Sequence, residues 1–238
     1  MSIEYPTELQ ARFERQIVEG TFGRGEFVSV DHLANQLGGP ADQVLRVVRT
    51  AERKGLVVAS GEGAVRVLGL PTTDFASVFT HTAGSGLKPR SEVRQVEVEP
   101  ATPMVADKLR VDIGSPVYRY VRTRWVNEQA LANQTNYMPF EVCPGLEDDD
   151  VSRYSFQKLL EEKYAAVLVK MDEKALLVPA TAQDQEVLGL AGGADVLVVD
   201  RIALSATGWP LVWAEIRIRP DRFEYVAALW PEAAKLLK

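Results

Sequence analysis

Residues 118–140 of the chain read YRYVRTRWVNEQALANQTNYMPF. Aromatic and β-branched residues flank a short polar turn, a pattern that predicts a β-hairpin with strands at 118–125 and 129–137. Because side chains alternate along a strand, Arg122 and Arg124 share one face and Arg119 lies on the other. Adjacent guanidinium groups repel one another, so either acidic side chains of the fold or an anionic ligand must lie between them.

The composition is that of an ordinary globular protein. The chain has 238 residues, a net charge of −6 and a single cysteine, Cys143, which excludes an intrachain disulfide framework and fits a reducing cytoplasm. Two histidines and one cysteine do not make a zinc site, and we expect neither a metal nor a cofactor. We also expect no signal peptide and no membrane association, because the N-terminus is polar and no apolar run could span a bilayer.

The first seventy residues have the pattern of a helical unit that ends in a hairpin. The predicted elements are an amphipathic helix at 6–19, a helix at 30–37 capped by Ser29, a helix from Pro40 to about Lys54, and strands at 56–59 and 64–68. Gly55 is a suitable C-cap for the third helix. Helix, helix, tight turn, helix and hairpin together are the arrangement of a winged helix-turn-helix.

After a linker at 70–88 the pattern changes to strands with interspersed helices. Strands are predicted at 94–98, in the hairpin of 118–137, at 165–177, in a hairpin of 196–206 with 210–218, and at 221–227. Helices are predicted at 103–109, 154–164 and 181–188, the last capped by Thr181. Because hairpins dominate, the expected fold class is α+β with a mostly antiparallel sheet.

Four stretches resemble the UTRA effector-binding domain found in GntR-superfamily transcription regulators of the HutC type. They are GLKPRSEVRQVEVEPA (86–101), VRTRW with NYMP (121–139), PGLEDDDVSRYSFQKLLEEKY (144–164) and RIALSATGWPLVWAEIRIRPDRFEY (201–225). The resemblance implies a winged helix-turn-helix DNA-binding domain at 1–69, a linker at 70–88, and a UTRA domain, whose fold is related to chorismate lyase, at 89–238.

The resemblance also implies an effector site. In similar domains the paired strand arginines, here Arg122 and Arg124, face a pocket and bind a phosphate, phosphonate or carboxylate, which suits the planar fork of arginine donors. Ser155, near a helix N-terminus, would add a hydroxyl and a favourable dipole. Further candidates are Ser77 or Thr80 in the linker, and Gln134, Gln157 and Glu215.

Two of these candidates depart from the family pattern. Gln134 stands where sugar-phosphate-binding members carry an acid, and Gln157 stands where some have tyrosine, so the effector stays open. The alternative interpretation is that Arg122 and Arg124 pair with Glu215 and other acids of the sheet. For Arg217 and Arg219 we expect solvated or salt-bridging roles, with Arg217 the better candidate for the pocket.

The DNA-binding end departs further. A typical member of the family that this chain resembles carries Ser-Arg near the start of the recognition helix and a second Arg a turn later. This chain has Pro40 and Ala41 at the start of that helix, and Glu62 makes the wing tip acidic. An acidic wing repels phosphate. The candidate DNA contacts that remain are Gln43, Arg46, Arg49 and Arg66. Arg53 and Lys54 are expected to be solvated charges on the helix surface.

The resulting prediction is a cytoplasmic, homodimeric transcription regulator, most simply a repressor, that binds operator DNA and releases it when a small anionic metabolite binds. One alternative is a sensor whose winged helix has lost strong DNA binding. A second is an enzyme related to chorismate lyase. We expect no enzyme, because the second domain presents no convincing general acid or base.

Overall fold

The N-terminal unit consists of three helices and a small sheet. Its elements are α1 (Thr7–Val18), β1 (Phe27–Ser29), α2 (Val30–Leu37), α3 (Ala41–Arg53), β2 (Val57–Ala59) and β3 (Ala64–Val67). The strands are antiparallel in the order β1-β3-β2. This is the winged-helix arrangement that the sequence predicts, with one strand more. The sequence analysis missed β1 because three residues are too short to establish an alternating pattern.

Local signals determine the limits of these helices. The Ser29 hydroxyl accepts a hydrogen bond from the backbone N–H of His32 at 3.1 Å, which caps α2 as predicted. Phe13, Leu33 and Val47 are fully buried and join the three helices in one core. The apolar stripes read from the sequence therefore face each other.

A six-stranded antiparallel sheet forms the centre of the second unit. Its strands are β4 (Pro89–Pro100), β5 (Pro116–Val126), β6 (Gln129–Pro139), β7 (Lys170–Pro179), β8 (Asp195–Leu204) and β9 (Pro210–Ile218). They lie in the order β4-β5-β6-β9-β8-β7. The helices are α4 (Pro103–Leu109), α5 (Phe156–Tyr164) and α6 (Ala182–Leu188). The predicted antiparallel α+β class is confirmed.

This is a computed structural model, and it describes residues 7–61, 63–71, 89–126, 128–151 and 156–221. The capping prediction at Thr181 is confirmed by a full capping box with Asp184. The strand predicted at 165–177 is wrong at its start, because β7 begins at Lys170. The predicted strand at 221–227 falls almost wholly outside the described residues. Among the described helices, none has the length and apolarity needed to cross a bilayer.

The two faces of the large sheet pack against different helices. On one face, α5 covers Tyr118, Met138 and Val212. On the other, α4 packs against Val117 and Trp213. Consecutive residues of a strand therefore enter different environments, and the face on which a side chain lies decides its role.

A buried lysine, ion-paired within the N-terminal unit, joins that unit to the sheet domain through a hydrogen bond. Lys54, directly after α3, is 0% exposed, and its Nζ donates to Glu14 Oε1 at 2.6 Å and to the carbonyl of Tyr164 at 2.7 Å. The prediction that Lys54 is solvated is wrong, because the end of α5 covers it. Gln10 extends this junction by donating through Nε2 to the backbone carbonyl of Glu141 at 2.9 Å.

Candidate effector site

Arg122 and Arg124 project from β5 and share one acceptor. The Nε of Arg122 lies 3.2 Å from Gln134 Oε1, and the Nε of Arg124 lies 3.0 Å from the same oxygen. Gln134 is the direct cross-strand partner of Arg122 on β6, which places both side chains on one face of the sheet. A neutral amide oxygen therefore lies between the two guanidinium groups.

Two hydrogen bonds fix the orientation of the Gln134 amide. Gln134 Nε2 donates to Asn136 Oδ1 at 2.7 Å, and Asn136 Nδ2 donates to the backbone carbonyl of Tyr120 at 3.2 Å. This relay leaves Gln134 Oε1, the acceptor end of the amide, facing the arginines. The two guanidinium groups are thereby fixed through Nε, which is the arrangement needed to present their terminal nitrogens to a ligand.

The guanidinium of Arg122 is buried without an ion-pair partner among the described residues. Arg122 is 5% exposed, and its guanidinium lies 5.4 Å from the ring centre of Tyr120 and 5.9 Å from that of Phe156. Among the described residues no carboxylate forms an ion pair with Arg122. Burial lowers the pKa of Arg122, and neighbouring Tyr120 offsets this only in part. The pKa of Arg124 is lowered more strongly, first by burial and then by the charges of Arg122 and Arg201.

A buried hydroxyl beside the arginines lacks a partner. Tyr120 is fully buried, and in the part of the chain that the structure describes its Oη has no hydrogen bond. Its ring packs on Phe156 at the described start of α5, with 5.1 Å between ring centroids. An unsatisfied buried hydroxyl is costly, so it points to a ligand or ordered water at this place.

The remaining predicted effector residues have different outcomes. Gln157 is the second described residue of α5 and is half-buried. Ser77, Thr80 and Ser155 lie outside the described residues. The structure does not bring Glu215 to the arginines. On β9 its cross-strand partner is Thr135, whereas Gln134 is paired with Ile216, so Glu215 lies on the opposite face.

The opposite face also accounts for Arg217. Its Nε and Nη2 lie 2.6 and 2.8 Å from the two carboxylate oxygens of Asp184 on α6, which confirms the predicted salt-bridging role. Glu215 lies 3.4 Å from Arg217 Nη1. The alternative in which Glu215 neutralises the arginines of β5 is therefore wrong, because the sheet separates them.

One residue of this face was missed by the sequence analysis. Arg201 on β8 is paired through Ala214 on β9 to Asn136 on β6, so it projects to the same side as Arg122 and Arg124. Its Nε forms an ion pair with Glu173 on β7. Only the register of four strands reveals this proximity, and no local sequence signal contains it.

The candidate DNA contacts lie on the predicted helix and wing. Arg46 and Arg49 on α3 and Arg66 on β3 are exposed, and Gln43 is half-buried. Arg53 forms an ion pair with Glu141 at 3.2 Å and stacks 5.0 Å from the ring centre of Trp209. It was expected to be simply solvated, and that prediction is wrong because the sheet domain contacts this end of α3.

Two other features do not support a chemical site. A cleft of about 830 Å³ between α1 and the end of α5 is lined by more acidic than basic side chains, which disfavours an anion. The acidic residues are Glu8, Glu14, Glu19, Glu161 and Glu162, and the basic ones are Arg15, Lys54 and Lys163. Cys143 is buried, and burial raises the pKa of its thiol to about 12, so the reactive thiolate is absent at neutral pH. Within the described ranges, no cluster of three His, Cys, Asp or Glu side chains could hold a metal ion.

Comparison with known proteins gives a family match and several relatives. The family model described as the UTRA domain matches residues 84–224. The HTH-type transcriptional regulator GmuR of Bacillus subtilis is 30% identical over 136 residues, which are 57% of this chain and 57% of that protein. The chain thus spans little more than half the length of this relative. The HTH-type transcriptional regulator Rv0792c of Mycobacterium tuberculosis is 25% identical over 240 residues, covering 96% of this chain and 87% of that protein.

Solved structures share the fold. The crystal structure of PhnF from Mycobacterium smegmatis superposes with a TM-score of 0.59 at 17% identity, covering 90% of this chain and 95% of that one. The likeness extends over both the winged helix and the sheet domain and agrees with the fold derived above. Since the family model matches more than half of the sequence, the chain belongs to the UTRA domain family.

Proposed function

We propose that the protein is a DNA-binding transcription regulator whose affinity for its operator is controlled by a small anionic effector. The observation that carries the proposal is the buried guanidinium of Arg122, which shares the neutral acceptor Gln134 Oε1 with Arg124 and has no ion pair in the described part of the chain. A buried charge without a counter-charge is costly, and an anion bound there would remove that cost. The effector is therefore a phosphate, phosphonate or carboxylate.

The relatives support the DNA-binding half of the proposal. GmuR and Rv0792c are HTH-type transcriptional regulators by name. In this chain Arg46, Arg49 and Arg66 are exposed on the recognition helix and wing, where they would contact DNA phosphates, and Gln43 would read a base edge. The regulator acts as a cytoplasmic homodimer on a two-fold operator, and it is not an enzyme.

Helix α5 supplies a path between the two regions. Phe156, its first described residue, contacts Tyr120 beside the arginines, and the carbonyl of Tyr164, its last residue, accepts a hydrogen bond from Lys54 at the end of α3. An effector that displaced Phe156 would move the support of the recognition helix. The equilibrium between DNA-binding and non-binding orientations would then shift by the difference in effector affinity for the two states.

The test is binding of the full chain to DNA fragments from its genomic neighbourhood, measured by fluorescence anisotropy at a fixed salt concentration, with a panel of phosphates, phosphonates and carboxylates. The proposal expects one fragment to bind specifically and one class of anion to release it. Arg122→Ala should bind the same DNA but no longer respond. Arg119→Ala is the matched control, because Arg119 lies on the other face and pairs with Glu97 at 3.1 Å.

Two results would contradict the proposal in different ways. An unchanged response in Arg122→Ala would refute the effector site while leaving DNA binding intact. No specific DNA binding at low salt by a folded protein would favour a sensor with a degenerate winged helix, the function for which the acidic Glu62 and the missing Ser-Arg pair argue.

A further inference from the structure

Arg201 has the features of a ligand-binding residue. It projects from β8 to the face that carries Arg122, Gln134 and Asn136. Its side chain is 16% exposed, and its Nε is engaged by Glu173 on the neighbouring strand β7. The described structure gives its two terminal nitrogens no hydrogen bond. Like Arg122 and Arg124, it is held at Nε by a neighbour in the sheet.

Arg201 lies several strands away from Arg122 and Arg124 but still acts on them electrostatically. Three strand steps lead from β5 through β6 and β9 to β8, so the backbones of Arg122 and Arg201 are roughly 14 Å or more apart. Both side chains project into the space above the sheet, and the charge of Arg201 lowers the pKa of Arg122 and Arg124. The three cations therefore act on one region.

The surface between them is neutral, polar on β6 and apolar on β9, where Ala214 and Ile216 lie on the same face. Gln134 and Asn136 lie on this face between the two positive regions, and the Oη of Tyr120 is unsatisfied there. Hydroxyl groups can exchange hydrogen bonds with amides and a phenol, whereas a charged group would gain little. Across the strands, Arg122 and Arg124 thus lie at one end, neutral side chains lie in the middle, and Arg201, ion-paired through Nε with Glu173, lies at the other end.

We infer that Arg201 forms a second anion subsite of the effector pocket, so that the effector carries two acidic groups separated by a short hydroxylated chain. One group, phosphoryl or carboxyl, binds between Arg122 and Arg124. The other, of carboxylate size, binds the terminal nitrogens of Arg201, while Glu173 keeps the guanidinium in place. This inference rests on the proposed function, because it concerns the same sheet face.

The experiment uses two probes that differ only at one end. Phosphogluconate carries a phosphate and a terminal carboxylate, and glucitol phosphate has a hydroxymethyl group in place of that carboxylate. Calorimetric titration of the full chain should give phosphogluconate an affinity about 10- to 100-fold higher, the worth of a charged hydrogen-bonded contact. Inorganic phosphate serves as the probe for the Arg122 and Arg124 subsite alone.

The ratio of the two affinities in each variant is the readout, because a general loss of folding cannot change it selectively. Arg201→Gln should bring the ratio close to one and leave inorganic phosphate binding unchanged. Arg201→Lys, which keeps a cation beside Glu173, should retain part of the preference. Arg119 lies on the opposite face and pairs with Glu97 on β4, so Arg119→Gln should keep the full ratio.

The two proposals fail in distinguishable ways. If the wild-type chain does not prefer phosphogluconate, or if the preference survives in Arg201→Gln, the second subsite is refuted while anion binding at Arg122 stands. If Arg122→Ala binds inorganic phosphate and both probes as the wild type does, or if the wild type binds none of the three, the effector site itself is wrong.

Discussion

Replacing Lys54 tests how much its buried charge contributes to the free energy of unfolding at the junction between the two units. The ammonium of Lys54 is completely buried and contacts the carboxylate of Glu14 and the carbonyl of Tyr164. Lys54→Met keeps most of the side-chain volume and removes the charge. The variant therefore isolates the electrostatic part of the junction from its packing.

The expected cost follows from the groups that remain. Loss of one partner of a buried ion pair costs about 3–5 kcal/mol, because the other charge is left without compensation. Here Gln10 Nε2 still donates to Glu14 Oε1 at 3.0 Å, and the Glu14 side chain retains 9% exposure beside the cleft. The free energy of unfolding should therefore fall by about 3 kcal/mol, at the lower end of that range.

Urea unfolding followed by circular dichroism measures this cost, because α1 and α3 lose their helical signal when the N-terminal unit opens. Tryptophan fluorescence adds the signal of the sheet domain and of the junction, since all four tryptophans lie at position 125 or later and Arg53 lies 5.0 Å from the ring centre of Trp209. Lys158→Met is the control. Lys158 is 63% exposed in a helical pair with Glu162, so its loss should change the free energy of unfolding by no more than about 0.5 kcal/mol.

A second variant sharpens the test. In Lys54→Met combined with Glu14→Gln the uncompensated carboxylate is gone, so the double variant should be more stable than Lys54→Met alone. The reasoning is refuted if Lys54→Met is as stable as the Lys158→Met control, or if the two substitutions at the junction are additive.

Three further predictions concern single residues. The thiol of Cys143, whose pKa burial raises to about 12, should not react with a disulfide reagent at pH 8 until urea unfolds the chain, and rapid labelling of the native protein would contradict its burial. Asp184→Asn should lower the free energy of unfolding by about 2–3 kcal/mol at pH 7 through loss of the Arg217 pair. Burial would raise the pKa of Asp184, but hydrogen bonds from Arg217 and Thr181 hold it below the ordinary value. The wild type should therefore lose this advantage as the pH falls below about 3.9, and a difference constant from pH 7 to 3 would contradict the assignment. Thr181→Ala should cost about 1 kcal/mol in thermal unfolding because it removes an N-cap, whereas Thr181→Ser should be nearly neutral.

The sequence predicts well those features that nearby residues determine. Ser29 and Thr181 mark helix starts correctly, because an N-cap acts on a backbone group three residues away. The shared face of Arg122 and Arg124 is also local, since it depends only on the alternation within one strand. The hairpin of β5 and β6 follows from its turn and its pattern together.

What the sequence could not predict depends on distant partners. Alternation shows that Glu215 and Arg217 share a face, but it does not tell which face of β9 continues that of β5. That relation is set by registers across β6, and a shift of one residue reverses it. Glu215 was assigned to the arginines and Arg201 was overlooked for this one reason.

The burial of Lys54 has the same kind of origin. A lysine at the end of an amphipathic helix is ordinarily solvated, and its own neighbours contain no sign of burial. The carbonyl that accepts a hydrogen bond from buried Lys54 belongs to Tyr164, 110 residues later in the chain. Only the docking of the sheet domain on α3 could reveal it.

The close contact after α3 limits how the N-terminal unit could be exchanged for that of another protein. Gly55 has a φ of +78°, and a Cβ built on it would lie 3.0 Å from the Cβ and the backbone nitrogen of Ala206 in the turn between β8 and β9. The hydroxyl of Thr207 in that turn donates to the carbonyl of Glu52 at 2.7 Å. An N-terminal unit taken from another protein would not pack against this turn unless it carried a glycine and a preceding lysine at the positions of Gly55 and Lys54. A functional graft therefore has to transfer both contacting segments together, the end of α3 with Gly55 and the turn between β8 and β9.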